Sequence, residues 1–366
     1  MNKVNIVTSV KVSDDDEIRA LIRAGTRVFR QNFSHGTNDE KAEQVEQIRR
    51  IAKEEHLEDE IKILQDLQGP KIRVGNIKDD YYGTQVGEEL ILDYAMKDAE
   101  HDGGNRIPLQ YNLADKLHVG DKIFINDGKV HAIVTEIESE TAFKIKVENK
   151  SFFKSKKGVN MIGADFGNDI FPEKDRLDME FGASQGYDWV ALSFIQNAEN
   201  LREARRLMRE YGYHENTKLV AKVETYEAIK NDTVIDEICR EADIIMVARG
   251  DMAYEVGYEK VPAIQRKLIA ACRNYDKGSI VATQTISSME HNPSPTRAEV
   301  DNIAGAYTLG ADYIMTSEET VLGKYPVETT ATLREILDYS ESNLEVISLS
   351  ELNRITRFAP TFPKEC

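Results

Sequence analysis

The sequence predicts an α/β fold: a TIM (β/α)8 barrel with a small β-barrel domain inserted after its third strand. Two observations carry this prediction. Eight short runs rich in β-branched residues recur along the 366 residues, and a stretch with helical periodicity follows each of them. Strands that alternate with amphipathic helices form parallel sheets, and eight such units close a barrel. The second observation is that one interval between runs is several times longer than the others.

The eight predicted strands share an apolar centre and a polar carboxyl end. In order, they are VNIVTSV from Val4, VFRQNF from Val28, KILQDL from Lys62, WVALSF from Trp189, LVAKVE from Leu219, IIMVAR from Ile244, SIVATQ from Ser279 and YIMTSE from Tyr313.

The helices between these strands have recognisable ends. Capping boxes at 37–40 and 296–299 predict two helix starts. Gly25 and Gly310 follow apolar-periodic stretches, where a left-handed residue would end a helix. A last helix from 326 to about 344 completes the barrel, and no clear element follows it.

The long interval, residues 70–158, loses helical periodicity and reads as short strands separated by turns: EELILDY, DKIFIND, HAIVTEI and AFKIKVE. A small inserted β domain is the simplest interpretation. The predicted organisation is therefore a first barrel part (1–69), the insertion as a lid (70–158), a second barrel part (159–345) and a C-terminal tail (346–366).

Composition limits the possible partners. Lys and Arg total 47 against 64 Asp and Glu, which gives a net charge of −17. An acidic surface argues against binding to nucleic acid or anionic membranes, but it leaves room for a basic pocket that binds a phosphorylated metabolite. No apolar run approaches the ~20 residues that span a bilayer. With no signal peptide and only three widely spaced cysteines (Cys239, Cys272 and Cys366), a reducing cytoplasm is the expected location.

Catalytic residues of such barrels lie at the carboxyl ends of the strands. Alternation along AKVE places Lys222 and Glu224 on the same face of the fifth strand. Asp251 follows the sixth strand and would lie beside them. Carboxylates suit a hard divalent cation, and lysine suits phosphoryl oxygen, so these three residues predict a metal and phosphate site.

Several longer motifs lie at or beside these strand ends. They are RQNFSHG (30–36), DLQGPKIR (66–73), NDGKV (126–130), SKKGVN (155–160), AKVE (221–224), VARGD (247–251), ATQ (282–284), NPSPTRAEV (292–300) and GKYPVE (323–328). In this order and spacing they resemble the pyruvate kinase family over nearly the whole chain. The resemblance implies a cytoplasmic enzyme of glycolysis that transfers a phosphoryl group from phosphoenolpyruvate to ADP, giving pyruvate and ATP.

The resemblance also implies roles for individual residues. Glu224 and Asp251 would hold Mg²⁺ or Mn²⁺, and Lys222 would stabilise the phosphoryl group in transfer. The N–H groups of Gly250 and Asp251, with Thr283, would bind the substrate carboxylate. The catalytic set would be Lys222, Thr283 and Arg30, and the nucleotide phosphates would be bound by Arg30, His35, Arg73 and Lys157.

A monovalent cation site is a further implication. Many family members bind potassium with residues that match Asn32, Ser34, Asp66 and the carbonyl of Leu67. Potassium-dependent members have a glutamate where this sequence has Lys71. Because a lysine ammonium carries the same charge as the ion, we expect activity without potassium.

The chain also departs from the family pattern. The turn after the first strand (9–16) lacks the family's Gly-Pro, the sequence after VARGD is Met-Ala-Tyr-Glu (252–255) where Leu-Gly-Val-Glu is usual, and Ser-Glu-Glu-Thr (317–320) replaces Ser-Gly-Glu-Thr. The chain stops where the family's C-terminal domain would begin, so we expect no sugar-phosphate regulation and a monomer or a homodimer formed through the barrel.

Two alternatives stay open. The chain could be another Mg²⁺-dependent enolpyruvate-type lyase or aldolase, although such an enzyme has no need of Arg30, Arg73 and Lys157. It could instead be a non-catalytic or regulatory ligand-binding relative, although a pure binder has little use for Lys222 beside two carboxylates.

Overall fold

The computed structural model describes residues 3–11, 13–70, 72–126, 128–161 and 170–356. Sixteen strands fall in this part of the chain. In chain order they are β1 (Asn5–Ser9), β2 (Thr26–Asn32), β3 (Lys62–Asp66), β4 (Tyr82–Thr84), β5 (Glu89–Asp93), β6 (Arg106–Pro108), β7 (Lys122–Ile125), β8 (Val130–Ile137), β9 (Ala142–Val147), β10 (Ser151–Phe153), β11 (Val159–Met161), β12 (Trp189–Leu192), β13 (Lys218–Val223), β14 (Ile244–Ala248), β15 (Gly278–Ala282) and β16 (Tyr313–Thr316).

Twelve α-helices lie in the same described residues. They are α1 (Asp15–Ala24), α2 (Asn38–Glu54), α3 (Glu173–Gln185), α4 (Ala198–Tyr211), α5 (Tyr226–Ile229), α6 (Asp232–Glu241), α7 (Arg249–Val256), α8 (Val261–Asn274), α9 (Arg297–Leu309), α10 (Glu318–Val321), α11 (Pro326–Asn343) and α12 (Leu349–Thr356). The expected capping boxes and left-handed glycine ends are present in α1, α2 and α9.

Eight parallel strands close the predicted barrel in the order β1–β16–β15–β14–β13–β12–β3–β2. Its interior is filled by strand side chains alone, among them Val7, Val28, Leu64, Val220 and Met246. The opposite faces of the strands pack against the surrounding helices. All eight strands predicted for the barrel are therefore confirmed.

The insertion contains β4 to β11, and its last strand, β11, lies just past the predicted end at residue 158. Its strands form one six-stranded sheet, in the order β11–β7–β8–β9–β5–β6, and one two-stranded ribbon of β10 and β4. The small barrel expected here is thus divided between two sheets. The two ends of the insertion meet side by side, because Arg73 and Gly158 form an antiparallel bridge and the Val74 N–H donates to the Lys157 carbonyl at 3.0 Å.

The expectation of no clear element after the last barrel helix is wrong. Helix α12 packs against α8 and buries Leu352 completely. Just before it, Arg273 donates to the Ile347 carbonyl at 2.8 Å, which fixes the chain on the barrel surface. Within the described ranges, no helix has the length and apolar character needed to cross a bilayer.

Candidate active site

The carboxyl ends of the barrel strands open into a cavity of about 890 Å³. Residues of the barrel and of the insertion both line this cavity, so sequence motifs from the two parts of the chain meet there. The predicted residues that line this cavity are Arg30, Asn32, Ser34, His35, Arg73, Lys157, Lys222, Glu224, Gly250, Asp251 and Thr283. Asp66 is buried in the floor of the cavity against Arg30 and Lys222, Leu67 is buried next to it, and Lys71 lies outside the described residues.

Strand alternation explains how these side chains come together. Val220 belongs to the barrel interior, so Lys222 and Glu224, two and four residues later, point along the same face towards the mouth. Val28 precedes Arg30 and Leu64 precedes Asp66 in the same way. The floor of the site is therefore the continuation of the barrel core, with charged residues in place of apolar ones.

Lys222 is the centre of this floor, with its side chain only 14% exposed. Its Nζ donates to Ser193 Oγ at 2.5 Å and lies 3.3 Å from Asp66 Oδ1 and 3.7 Å from Glu224 Oε1. Ser193 in turn donates to the Leu67 carbonyl at 2.7 Å. Burial favours the neutral amine, but the charges of Asp66 and Glu224 outweigh it and raise the pKa of Lys222 above its usual value. The ammonium is held charged and fixed in position.

Arg30 and Asp66 form the second ion pair of the floor. Arg30 Nε donates to Asp66 Oδ2 at 2.6 Å, and its Nη1 donates to Ser9 Oγ at 2.8 Å. Burial alone would raise the pKa of Asp66, yet the charges of Lys222 and Arg30 lower it below its ordinary value. Asp66 is thus an anion shared by two cations that face the cavity.

Glu224 and Asp251 are the candidate metal ligands. Glu224 Oε1 accepts from the Phe194 N–H at 2.8 Å, and Asp251 Oδ1 accepts from Asn160 Nδ2 at 3.1 Å. Burial raises the pKa of Glu224 to about 7, Lys222 opposes that rise, and the charge of Asp251 adds to it. The two carboxylates therefore repel each other across the cavity, a repulsion that a divalent cation would relieve.

This donor set fits magnesium better than a metal with a closed protein cage. No three His, Cys, Asp or Glu side chains converge on a metal position in the part of the chain that the structure describes. Magnesium commonly binds one or two carboxylates and takes its other ligands from water and substrate phosphate. Two carboxylates at the edge of an open cavity meet that requirement.

Gly250 and Thr283 adjoin the metal ligands. The Gly250 N–H donates to Thr283 Oγ1 at 2.8 Å. Thr283 follows an inward-facing Ala282, so alternation would turn its side chain away from the cavity. Its φ of +63°, followed by +51° at Gln284, turns it back instead. Two successive non-glycine residues in the left-handed region are strained, and such strain is typical of functional sites.

Arg249 supports this strained segment from below. Its Nε donates to the Ala282 carbonyl at 3.1 Å, and its Nη1 donates to Asn302 Oδ1 at 2.8 Å. Burial lowers the pKa of Arg249 to about 10, so the guanidinium stays charged at neutral pH. Arg249 therefore holds the backbone at the end of β15 rather than facing a ligand.

Two cations of the insertion that line the cavity, Arg73 and Lys157, are here called the cationic wall. His35 and Lys41 of the barrel part line the same cavity. Arg73 and Lys157 belong to the insertion, and Arg73 Nη1 donates to the Lys156 carbonyl at 2.8 Å. Lys41 lies on α2 with its Nζ 5.5 Å from the ring centre of Phe33. Burial and the nearby charge of Arg30 lower the pKa of Lys41 to about 8.

Sequence reasoning missed three residues of the site. Ser193 follows β12, so the strand-end rule that identified the other residues also applies to it. Asn160 closes the SKKGVN motif, but nothing in the sequence pairs it with Asp251. Lys41 is on the first turns of α2, just after the RQNFSHG motif, and its position in the cavity depends on the path of the intervening turn.

Comparison with known proteins identifies the family of the chain. The family described as pyruvate kinase, barrel domain, matches residues 1–330. The chain is 38% identical over 323 residues to a pyruvate kinase of Haemophilus influenzae, covering 88% of the chain and 66% of the relative. It is 39% identical over 332 residues to one of Agrobacterium vitis, covering 90% and 66%. With pyruvate kinase 2 of Synechocystis sp. it shares 38% over 327 residues, covering 88% and 54%. The chain spans about half to two thirds of the length of these relatives.

Proposed function

The chain belongs to the pyruvate kinase family, and from this premise we propose that it transfers a phosphoryl group from phosphoenolpyruvate to ADP, giving pyruvate and ATP, with Mg²⁺ or Mn²⁺. One observation carries the proposal. The fixed ammonium of Lys222, the carboxylates of Glu224 and Asp251, and the cations Arg73 and Lys157 all face one cavity. Phosphoryl transfer is catalysed mainly by positioning and by neutralising charge on oxygen, which is what this set of residues offers.

Glu224 and Asp251 would hold the divalent cation, which when bound neutralises charge on the phosphoryl and enolate oxygens. Lys222 binds the oxygens of the phosphoryl group from the floor. Because Asp66 and Ser193 already fix its Nζ, little reorganisation is needed when charge develops in the transition state.

The substrate carboxylate is assigned to the N–H groups of Gly250 and Asp251 and to the hydroxyl of Thr283. The Gly250 N–H donates to Thr283 Oγ1, and the Thr283 hydroxyl donates to the Ala282 carbonyl at 2.6 Å, so an incoming carboxylate replaces both bonds with bonds to itself. The N-terminus of α7 adds a favourable partial positive charge. Arg30, His35, Arg73 and Lys157 bind the phosphates of the nucleotide.

The cationic wall also separates the proposal from its alternatives. A Mg²⁺-dependent lyase or aldolase would use the floor alone and would act without ADP. A non-catalytic relative would bind ligands at the floor but would release no pyruvate. One assay of ADP-dependent pyruvate release therefore distinguishes a kinase from both alternatives.

The test is a lactate-dehydrogenase-coupled assay with phosphoenolpyruvate, ADP and Mg²⁺. We expect ADP-dependent pyruvate release, and Lys222→Met should lower kcat roughly a thousandfold with a smaller change in KM. Lys146→Met, an exposed lysine on β9, is the matched control. Pyruvate release without ADP would need water as the phosphoryl acceptor and would contradict a kinase. No turnover of phosphoenolpyruvate with Mg²⁺, or with Mn²⁺ in its place, would favour the lyase or the binding protein.

We further propose that the activity does not require potassium. The support is Lys71 in the sequence, together with Asp66, which already has two cationic neighbours in Arg30 and Lys222. Asn32 Oδ1 also accepts from the Ser34 N–H at 3.0 Å, so one expected ion ligand has another partner. Initial rates should be similar in KCl and in choline chloride of equal ionic strength, whereas Lys71→Glu should create potassium activation. Activation of the unmodified chain by about tenfold or more would contradict this.

A further inference from the structure

The insertion contacts α7 at two places. At the cavity, Asn160 of β11 donates to Asp251 Oδ1 at 3.1 Å. Outside the cavity, Tyr254 packs against Phe124 of β7 with ring centres 6.1 Å apart, and against the turn at Gly128. Asp251 and Tyr254 are three residues apart and therefore share a face of the helix. One helix face thus carries both a metal ligand and an aromatic contact to the insertion.

The contact at Gly128 is very close. A Cβ at this position would lie 2.0 Å from Tyr254 Cε1, so only glycine lets the ring approach the turn. Gly128 also has a φ of +73°, in the region that favours glycine. The aromatic contact extends on both sides, since Phe124 packs edge-on against His131 at 5.2 Å and Tyr254 against Tyr258 at 5.7 Å. A row of four rings therefore crosses from the insertion to the barrel.

This second contact restricts how the insertion can move. The insertion leaves and rejoins the barrel through adjacent chain segments, bridged at Arg73 and Gly158. A body attached along one such junction can rotate about it, whereas a second contact at a distance fixes its orientation. Arg73 and Lys157 lie beside this junction, so the angle at which the insertion docks sets where their side chains enter the cavity relative to Lys222.

We propose that Tyr254 is a positioning residue that latches the insertion onto α7 and thereby sets the distance between the cationic wall and the floor. The kinetic part of this inference rests on the proposed function. The family pattern has valine at this position, and a valine side chain is too short to form the ring contacts. The latch is therefore a property of this chain's own sequence.

The test compares Tyr254→Val with Tyr339→Val, which changes an exposed tyrosine on α11. Hydrogen exchange should become about threefold to tenfold faster in peptides that cover β7, the Gly128 turn and β11, but not in β1 to β3. In the kinase assay, KM for ADP should rise by a similar factor while kcat and KM for phosphoenolpyruvate change little. A merely structural loss would lower the melting temperature without this division between the two substrates.

Gly128→Ala provides a second, independent test of the latch. Its methyl group should separate the ring from the turn and reproduce the exchange and KM effects of Tyr254→Val. In the Tyr254→Val background the same change should add little beyond the backbone cost of a non-glycine residue. Additive effects, or unchanged exchange in both single variants, would overturn the latch. The exchange measurement does not depend on turnover. If the wild type were inactive and the variants still exchanged faster, the proposed function would be wrong but the latch would be supported.

Discussion

The floor and the cationic wall of the cavity are built in different ways. Asp66, Lys222 and Glu224 come from barrel strands, and their side chains are between 1% and 14% exposed. Arg73 and Lys157 come from the insertion and are half-buried. The floor residues hold one another through ion pairs and hydrogen bonds, so the register of the barrel fixes their geometry. The position of the wall depends on how a separate sheet docks.

This difference assigns different kinetic roles to the two sides. Fixed charges in a buried floor stabilise a transition state most effectively, because they need no reorganisation when the reaction occurs. Half-buried cations on a docked sheet contribute mainly to binding, each by a modest amount. Damage to the floor should therefore lower kcat, and damage to the wall should raise KM for the nucleotide.

After Lys222→Met, the largest effect is expected for Asp66→Asn. The amide keeps the shape of the side chain but removes the charge that Arg30 and Lys222 share, leaving Arg30 without its carboxylate and Lys222 with Glu224 alone. We expect kcat to fall about a hundredfold and the free energy of unfolding to fall by about 3 kcal/mol. Urea denaturation and the coupled assay measure the two effects. A variant of unchanged stability would show that the floor is not held together by this anion.

A smaller effect is expected on the wall. Arg73→Gln and Lys157→Met should each raise KM for ADP by about threefold to tenfold and leave kcat at saturating ADP near the wild-type value. Steady-state kinetics with ADP varied at fixed phosphoenolpyruvate give both constants. If kcat fell as far as in the floor variants, the division between floor and wall would be wrong.

Asp175 lies at the junction between the floor and the insertion, and its burial leads to a prediction about stability. It lies on α3, is 2% exposed, and accepts from the Gly69 N–H at 2.8 Å where the chain leaves the floor for the insertion. Its Oδ1 has no hydrogen-bond partner among the residues that the structure describes. Burial raises its pKa from 3.8 to about 7. Between pH 3.8 and about 7, the folded protein therefore keeps a proton on this carboxyl that the unfolded chain has lost.

The sign of the pH effect follows from that difference. As the pH rises from 3.8 to about 7, the unfolded state ionises first, so this group makes the free energy of unfolding smaller. Asp175→Asn cannot ionise and should gain stability relative to the wild type, by about 1 kcal/mol or more between pH 5 and pH 8. Denaturant unfolding at both pH values measures the gain, with Asp59→Asn, an exposed aspartate, as the control. A gain in stability of equal size at pH 5 and at pH 8 would contradict the raised pKa of Asp175.

The smallest effect is expected for Glu318→Gly. Glu318 is exposed at the cavity mouth, where the family pattern has glycine. Its negative charge opposes the approach of a nucleotide diphosphate, although water and salt weaken the effect. Removing it should lower KM for ADP by about twofold at low ionic strength and less at high salt. A KM that is insensitive to both the substitution and salt would remove Glu318 from the nucleotide's path.

Barrel and floor could be predicted because regular alternation carries the information. Once the strands were placed, Lys222 and Glu224 had to share a face. The position of the wall could not be predicted from alternation alone, because Lys157 reaches the cavity only after the insertion folds back on itself. The three-residue strands β4, β6, β10 and β11 are too short to show a period, and β6 contains a proline. Thr283 reached the cavity through a positive φ that no sequence rule gives to threonine.

The place of the insertion also has a consequence for how the chain folds. Strands β3 and β12 are neighbours in the barrel, although the whole insertion separates them in sequence. Their pairing is therefore the least local contact between consecutive barrel strands, and closing so long a loop is entropically unfavourable. The Arg73–Gly158 bridge shortens that loop as soon as the insertion forms. The seam between β3 and β12 should thus close quickly only after the insertion has folded, which would make the insertion an aid to assembly as well as a wall of the site.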